Sequence, residues 1–210
     1  MSMLSLRHRG VTMLGAALAF YAFAACKPSG DQAAADSLPS DTLAAAMAQG
    51  SDTAAAAAKP NDAQIAHIAV TANSIDSATG ELAMSKAQSK AVKDFAQTMI
   101  TDHTKVNKQA VALATKLGVT PEDNDVSRQL QSGAEEAQAS LKTMSGAAFD
   151  IAYIDHEVSY HQAVLDALDN TLIPGAQNAE LKELLTNVRP AIAAHLDRAK
   201  GIQGTLSSGS

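Results

Sequence analysis

The sequence predicts an all-α protein: a bundle of four long helices with an additional short helix, preceded by a signal peptide and a disordered tether. Three observations carry this reading. From Asn61 onward apolar residues recur at helical spacing, with no period-two alternation. The chain has no Trp and 3% aromatic residues, so a core built from it is aliphatic and alanine-rich. Ahead of Asn61 stand two segments of quite different composition, neither patterned like a helix that packs in a core.

Residues 1–25 read as an address. "MSMLSLRHRG" carries Arg7, His8 and Arg9 and no acid. "VTMLGAALAFYAFAA" then adds about fifteen apolar or small residues, an h-region too short for a comfortable membrane span. The run ends at Cys26, the only cysteine in the chain. "FAAC" resembles a bacterial lipobox, with Phe23 standing where leucine is usual. A lone cysteine forms no internal disulfide and no multi-cysteine metal site. Lipidation of Cys26 is therefore the expectation, against an ordinary signal peptide or an anchor helix with an incidental thiol. Lys27, rather than an acid, follows the cysteine, which resembles the outer-membrane sorting pattern of Gram-negative lipoproteins. The expected location is the bacterial envelope, anchored by lipid in the outer membrane and facing the periplasm.

Cleavage before Cys26 would remove two arginines and no acid, taking the formal charge from −6 to −8. Such a surface repels nucleic acid and anionic headgroups. No basic patch with interleaved aromatics is present, so nucleic acid is excluded as a partner. The expected membrane partner is reached through Cys26 alone, and no protein partner is indicated.

Residues 26–60, the lipidated cysteine and an Ala/Ser/Asp/Pro-rich stretch, are poor in large apolar side chains and cannot offset chain entropy by burial. Ser40 is placed to cap a transient helix in "SDTLAAAMAQ". A flexible tether of this length spans on the order of 30 Å.

The folded domain is expected over residues 61–205. In its first helix Ile65, Ile68, Ala72, Ile75 and Leu82 share one face, weakened locally by Gly80. In the second, Val92, Phe95, Met99, Val106, Ala110, Leu113 and Leu117 align, and Gly118 closes the helix. "VTPEDNDV" is a loop. A shorter helix carries Val126, Leu130, Ala134, Ala137, Leu141 and Met144 and is broken at Ser145 and Gly146. The next carries Phe149, Tyr153, Tyr160, Val164 and Ala167 and ends at "IPGAQN". The last carries Leu181, Leu185, Val188, Ile192, Leu196 and Ala199, with Pro190 on its outer side. Helices of this number in roughly 145 residues make one bundle.

Polar residues interrupt these stripes. His103 lies about 20° around the helix from Val92, near the middle of the apolar face, with Asp102 at its edge. His195 lies about 40° from Leu181. Asp150, Glu157 and His161 fall within about 40° of one another on a flank of the fourth helix. Glu81 borders the first stripe. Each long helix thus offers a ligand type toward the interior, and imidazole with carboxylate suits zinc, iron, copper or manganese. The candidate metal set is Glu81, His103, Asp150, His161 and His195. The opposing expectation, and the leading one, is structural: His103 pairs with Tyr153 or Asp150, His195 finds a similar partner, and the pairs fix helix register. No Glu-x-x-His occurs, so a di-iron carboxylate centre of that pattern is not expected. There is no Gly-rich phosphate loop, no Gly-x-Ser-x-Gly elbow and no visible nucleophile constellation. His156 is expected at a half-exposed edge and His67 in solvent. Met84, Met99 and Met144 are too scattered for a copper array and read as core filling.

"AVKDFAQTMITDHTKVNKQAVALATKLGV", "MSGAAFDIAYIDHEVSYHQAVLDAL" and "RPAIAAHLDRA" together resemble a bacterial envelope family, the domain of unknown function 4142, often labelled a predicted outer-membrane protein. The resemblance runs from about Asp62 to Ile202. It implies a ferritin-like bundle exported from the cytoplasm. It also implies recurrent positions at Glu81, Asp102, His103, Phe149, Asp150, Tyr153, His161 and His195, with none expected at His156 or Glu157. It supplies no established reaction and no cofactor. The leading functional expectation is a non-enzymatic envelope module, structural or interacting and stress-related. The alternative is a metal-binding or redox protein with a His/carboxylate site in the bundle core.

Overall fold

In the computed structural model the described residues are 59–208, and all their regular structure is helical. The signal peptide, Cys26 and the tether as far as residue 58 lie outside the described residues. Five helices carry the fold: α1 (Asp62–Lys86), α2 (Lys90–Leu117), α3 (Asp125–Thr143), α4 (Gly146–Ala167) and α5 (Ala179–Ser208). The shorter helix foreseen before the break at Ser145 is α3. No described helix is long and apolar enough to cross a membrane.

Local chemistry sets the boundaries. Asn61 caps α1 reciprocally with Gln64: the Asn61 side chain accepts from the Gln64 N–H at 2.9 Å, and the Gln64 side chain accepts from the Asn61 N–H at 3.1 Å. Asn124 and Ser127 do the same for α3. Gly118 ends α2 with φ of 64°, the left-handed geometry a C-terminal glycine supplies without strain. α4 does not stop cleanly at "IPGAQN". It first widens into a π-helical turn, Leu168–Leu172, followed by one helical turn at Ile173–Gly175. The Asn178 side chain then accepts from the N–H groups of Glu180 and Leu181 and starts α5. Pro190 lies exposed within α5, on the outer side as its phase requires.

The bundle is two antiparallel hairpins, α1 with α2 and α4 with α5, which share the most extensive contacts, while α3 packs chiefly on α1. α1 and α2 approach closely at Gly80. A Cβ there would stand 3.1 Å from both Ala96 O and Ile100 Cγ1. The apparent weak point of the first stripe is a contact point. The α1–α2 turn is held from the other hairpin: the Asp150 carboxylate of α4 accepts from the Ser89 N–H at 2.7 Å and the Gln88 N–H at 3.1 Å.

The buried apolar residues form two clusters. One gathers Ile65, Ile68, Leu168, Leu172, Leu181, Leu185 and Ile192. The other gathers Val92, Phe95, Met99, Leu141, Phe149, Tyr153 and Ile154. Along α2 the second cluster ends at Met99, and the next buried residue is His103. A polar layer therefore separates two hydrophobic ones.

Candidate metal centre

Within that layer, four helices each contribute one buried polar side chain: Asp76 from α1, His103 from α2, His161 from α4 and His195 from α5. Glu157, one turn before His161, joins them. All five are at most 6% exposed. The three imidazoles form a nearly equilateral triangle, with ring centroids 5.7 Å (His103–His161), 5.3 Å (His103–His195) and 5.5 Å (His161–His195) apart. His103, His161 and His195 can each offer a ring nitrogen within 4.8 Å of the others, and Asp76, Glu157 and His161 form a second such group.

The outer nitrogen of each ring faces an acceptor. His103 Nδ1 lies 2.7 Å from Asn73 Oδ1. The Asn73 amide is oriented by its own donation to Ala69 O at 2.7 Å, so Oδ1 is the atom left facing the ring. His161 Nδ1 lies 3.0 Å from the Glu157 carbonyl oxygen, and His195 Nε2 lies 3.0 Å from Asp102 Oδ2. A carbonyl or carboxylate oxygen only accepts, so in each neutral ring the proton sits on the outer nitrogen. The inner nitrogens, His103 Nε2, His161 Nε2 and His195 Nδ1, then present lone pairs. These three atoms are buried without a hydrogen-bond partner among the described residues, and so are both oxygens of Asp76. Asp76 Oδ2 lies 3.1 Å from His103 Nε2 and 3.4 Å from His161 Nε2, close in distance, yet neither ring donates an N–H to it.

Electrostatics favours the neutral rings of His103 and His195. Burial, with the neighbouring His161 and His195, lowers the His103 pKa to about 3. Burial also lowers that of His195, against the opposing pull of Asp102. Burial and then Glu157 push the Asp76 carboxyl well above its usual range, partly offset by His161. Burial pushes Glu157 up to about 8. A protonated Asp76 could donate to one inner nitrogen and would leave two unanswered. A cation answers all of them. Three imidazoles bound tetrahedrally at about 2.0–2.1 Å hold their centroids roughly 5.2 Å apart, close to the spacings seen.

Of the residues singled out in the sequence, His103, His161 and His195 converge here. Glu81 is exposed, and Asp150 is engaged with the α1–α2 turn. His103 is held by Asn73 rather than by Tyr153 or Asp150. Asp102 sits at the edge of the α2 face, holding His195. His156 is half-buried with its ring stacked on Tyr160, and His67 is half-buried 3.9 Å from Asp123. Met99 is fully buried, whereas Met84 is exposed. Asp76 and Asn73 were missed, although Asp76 is in helical phase with the stripe, about 20° from Ile65 and 40° from Ala72.

A family model described as a domain of unknown function, DUF4142, matches residues 46–202. No curated protein and no solved structure matches the chain.

Proposed function

We propose that this chain, which belongs to the DUF4142 family, is a metal-binding helical bundle whose ion is held by His103, His161, His195 and Asp76. The observation that carries this reading is the set of three buried imidazole nitrogens facing one another as lone pairs, each fixed in that state by an acceptor behind its ring. Purely structural pairing accounts for the outer nitrogens and leaves the inner ones unexplained. Leaving a buried acceptor unpaired costs about 1–3 kcal/mol, and three face one point.

Three nitrogens and one oxygen suit zinc, iron, copper or manganese. A bound ion supplies a Lewis-acid or redox centre. The chain's own part is to fix the ring planes through Asn73, Asp102 and the Glu157 carbonyl, and to keep the surroundings dry. We further propose that the bundle works in the bacterial envelope on a lipid anchor at Cys26. That part rests on the pattern of residues 1–26, and palmitate label that persists in a Cys26→Ala variant would refute it.

The test of the metal reading is stoichiometry. The full chain, purified without a histidine tag and stripped with chelator, is titrated with zinc and with cobalt. One ion per chain, with cobalt visible absorption of a nitrogen-rich tetrahedral site, is expected, and loss of both in His103→Ala. A chain that binds neither ion but loses thermal stability in His103→Ala would return the cluster to a role in helix register.

A further inference from the structure

Beside the centre lies a cavity of about 110 Å³ among α1, α2, α4 and α5. Its lining runs along α2 from His103 to Leu117, about 21 Å at 1.5 Å per residue, and along α5 from Leu181 to Ile192, about 16 Å. The space exists because small residues face each other: Ala66, Ala69 and Ala72 on α1, Ala110 and Ala114 on α2. Helix interfaces are ordinarily packed to crystal density, so a partly enclosed apolar space left by alanines between helices is a place for an occupant.

The chemistry of the walls narrows what that occupant is. Their middle stretch is aliphatic, with the polar residues at the two ends, so the walls favour an apolar occupant over a hydrated one. At the inner end the polar atoms of Asn73 and Tyr160 are already engaged. Asn73 Oδ1 faces His103, and the Tyr160 hydroxyl donates to Ala72 O at 2.8 Å. At the outer end the Asp62 carboxylate accepts from the N–H groups of Gln177 and Asn178. No lysine or arginine lines either end to meet an anionic ligand. The half-buried Leu113, Leu184 and Val188 lie between α2 and α5, where an entering molecule would pass. In size the cavity approaches the roughly 150 Å³ apolar cavities that take up benzene or xenon.

We propose that this cavity binds a small uncharged apolar molecule, benzene-sized or a short unbranched alkyl chain, with its inner end against His103. The site goes beyond the metal reading and stands without it. If both hold, the ion is reached by uncharged apolar molecules and screened from hydrated ones.

Benzene is the first probe, followed by methyl NMR on the full chain, metal-free and zinc-loaded. Saturable shifts are expected at Leu113, Leu185 and Val188, and none at Met99 or Ile154 in the other cluster. 1-Hexanol should bind at least about tenfold more tightly than hexanoate, because the carboxylate would lose hydration against aliphatic walls that offer it no cation. Ala110→Phe fills the cavity from its buried wall, and Leu113→Trp fills it from the half-buried side should the first variant fold poorly. Either should weaken benzene binding at least about tenfold while zinc stoichiometry stays unchanged. Absence of saturable shifts, equal affinity for hexanol and hexanoate, or full benzene binding in the folded variants would overturn the proposal. Benzene binding in a chain that takes up no zinc would refute the metal reading alone.

Discussion

A histidine whose outer nitrogen donates to a fixed acceptor has no proton left on its inner one. Three such rings facing an unpaired carboxylate make Asp76 the informative residue. Asp76→Asn keeps the shape, replaces a carboxyl whose charged form burial strongly disfavours, and supplies a permanent donor for one inner nitrogen. The metal-free variant should be more stable by about 1–3 kcal/mol in urea unfolding, while zinc affinity, read by chelator competition, falls at least about tenfold. A gain in stability with unchanged zinc affinity would remove Asp76 from the ligand set. Asp102→Ala, which frees His195 to turn, should weaken zinc about 10–100-fold. The metal-free protein is also opposed from two sides by pH. The folded His103 pKa lies below its usual 6.5, near 3, so stability declines as pH falls from about 6.5 towards 3. The folded Glu157 pKa lies above its usual 4.5, near 8, so stability declines as pH rises from about 4.5 towards 8. Unfolding midpoints of the metal-free chain across that range should show both slopes, and zinc should suppress the acid one, since a bound ring cannot take a proton. The three histidines were legible because a polar residue inside an apolar stripe is visible from phase alone. Asp76 obeyed the same rule and was overlooked beside Glu81, a border residue that faces solvent. Asn73 and the Glu157 carbonyl were not legible, since what an amide or a backbone oxygen faces depends on the neighbouring helix.

At the level of the helix, boundaries followed from short-range chemistry and could be read from the chain: Gly118, the break at Ser145, the outward Pro190. What could not be read was which side chains serve elements other than their own. Asp150 shares a flank with Glu157 and His161, yet it reaches the N–H groups of Gln88 and Ser89 and so fastens the start of α2. Asp150→Ala should therefore cost about 0.5–2 kcal/mol in thermal or urea unfolding, the range for a lost cap, and leave zinc stoichiometry intact. Loss of the ion with stability unchanged would instead make Asp150 a ligand. Gly80 teaches the same lesson. In the sequence it weakens a stripe; in the fold its missing Cβ lets α1 and α2 meet, with Ala96 O and Ile100 Cγ1 3.1 Å from where that atom would stand. Gly80→Val should force the hairpin apart at a cost of about 1–3 kcal/mol. The π-helical turn after α4 left no signal in the apolar pattern, because Leu168 and Leu172 are four apart and read as ordinary helix.

Across the whole molecule, two hydrophobic clusters enclose one polar layer, and the layer draws one of the proposed ligands from each of α1, α2, α4 and α5. Bundle architecture was readable from periodicity. The depth at which the polar residues meet was not, because it depends on how far each helix slides along its neighbours. The cavity beside His103 was equally hidden: an alanine-rich pattern does not show that Ala66, Ala69, Ala72, Ala110 and Ala114 line one space. The proposed ligands also divide evenly between the hairpins, Asp76 and His103 on one, His161 and His195 on the other, and the connection from the first hairpin to the second begins with the half-buried to exposed loop 118–124 and continues through α3. Cut there, the protein becomes a pair of fragments that meet across both apolar clusters as well as the polar layer, and on the proposed metal reading zinc should tighten their reunion at least about tenfold over chelator-treated fragments, read by gel filtration across a dilution series.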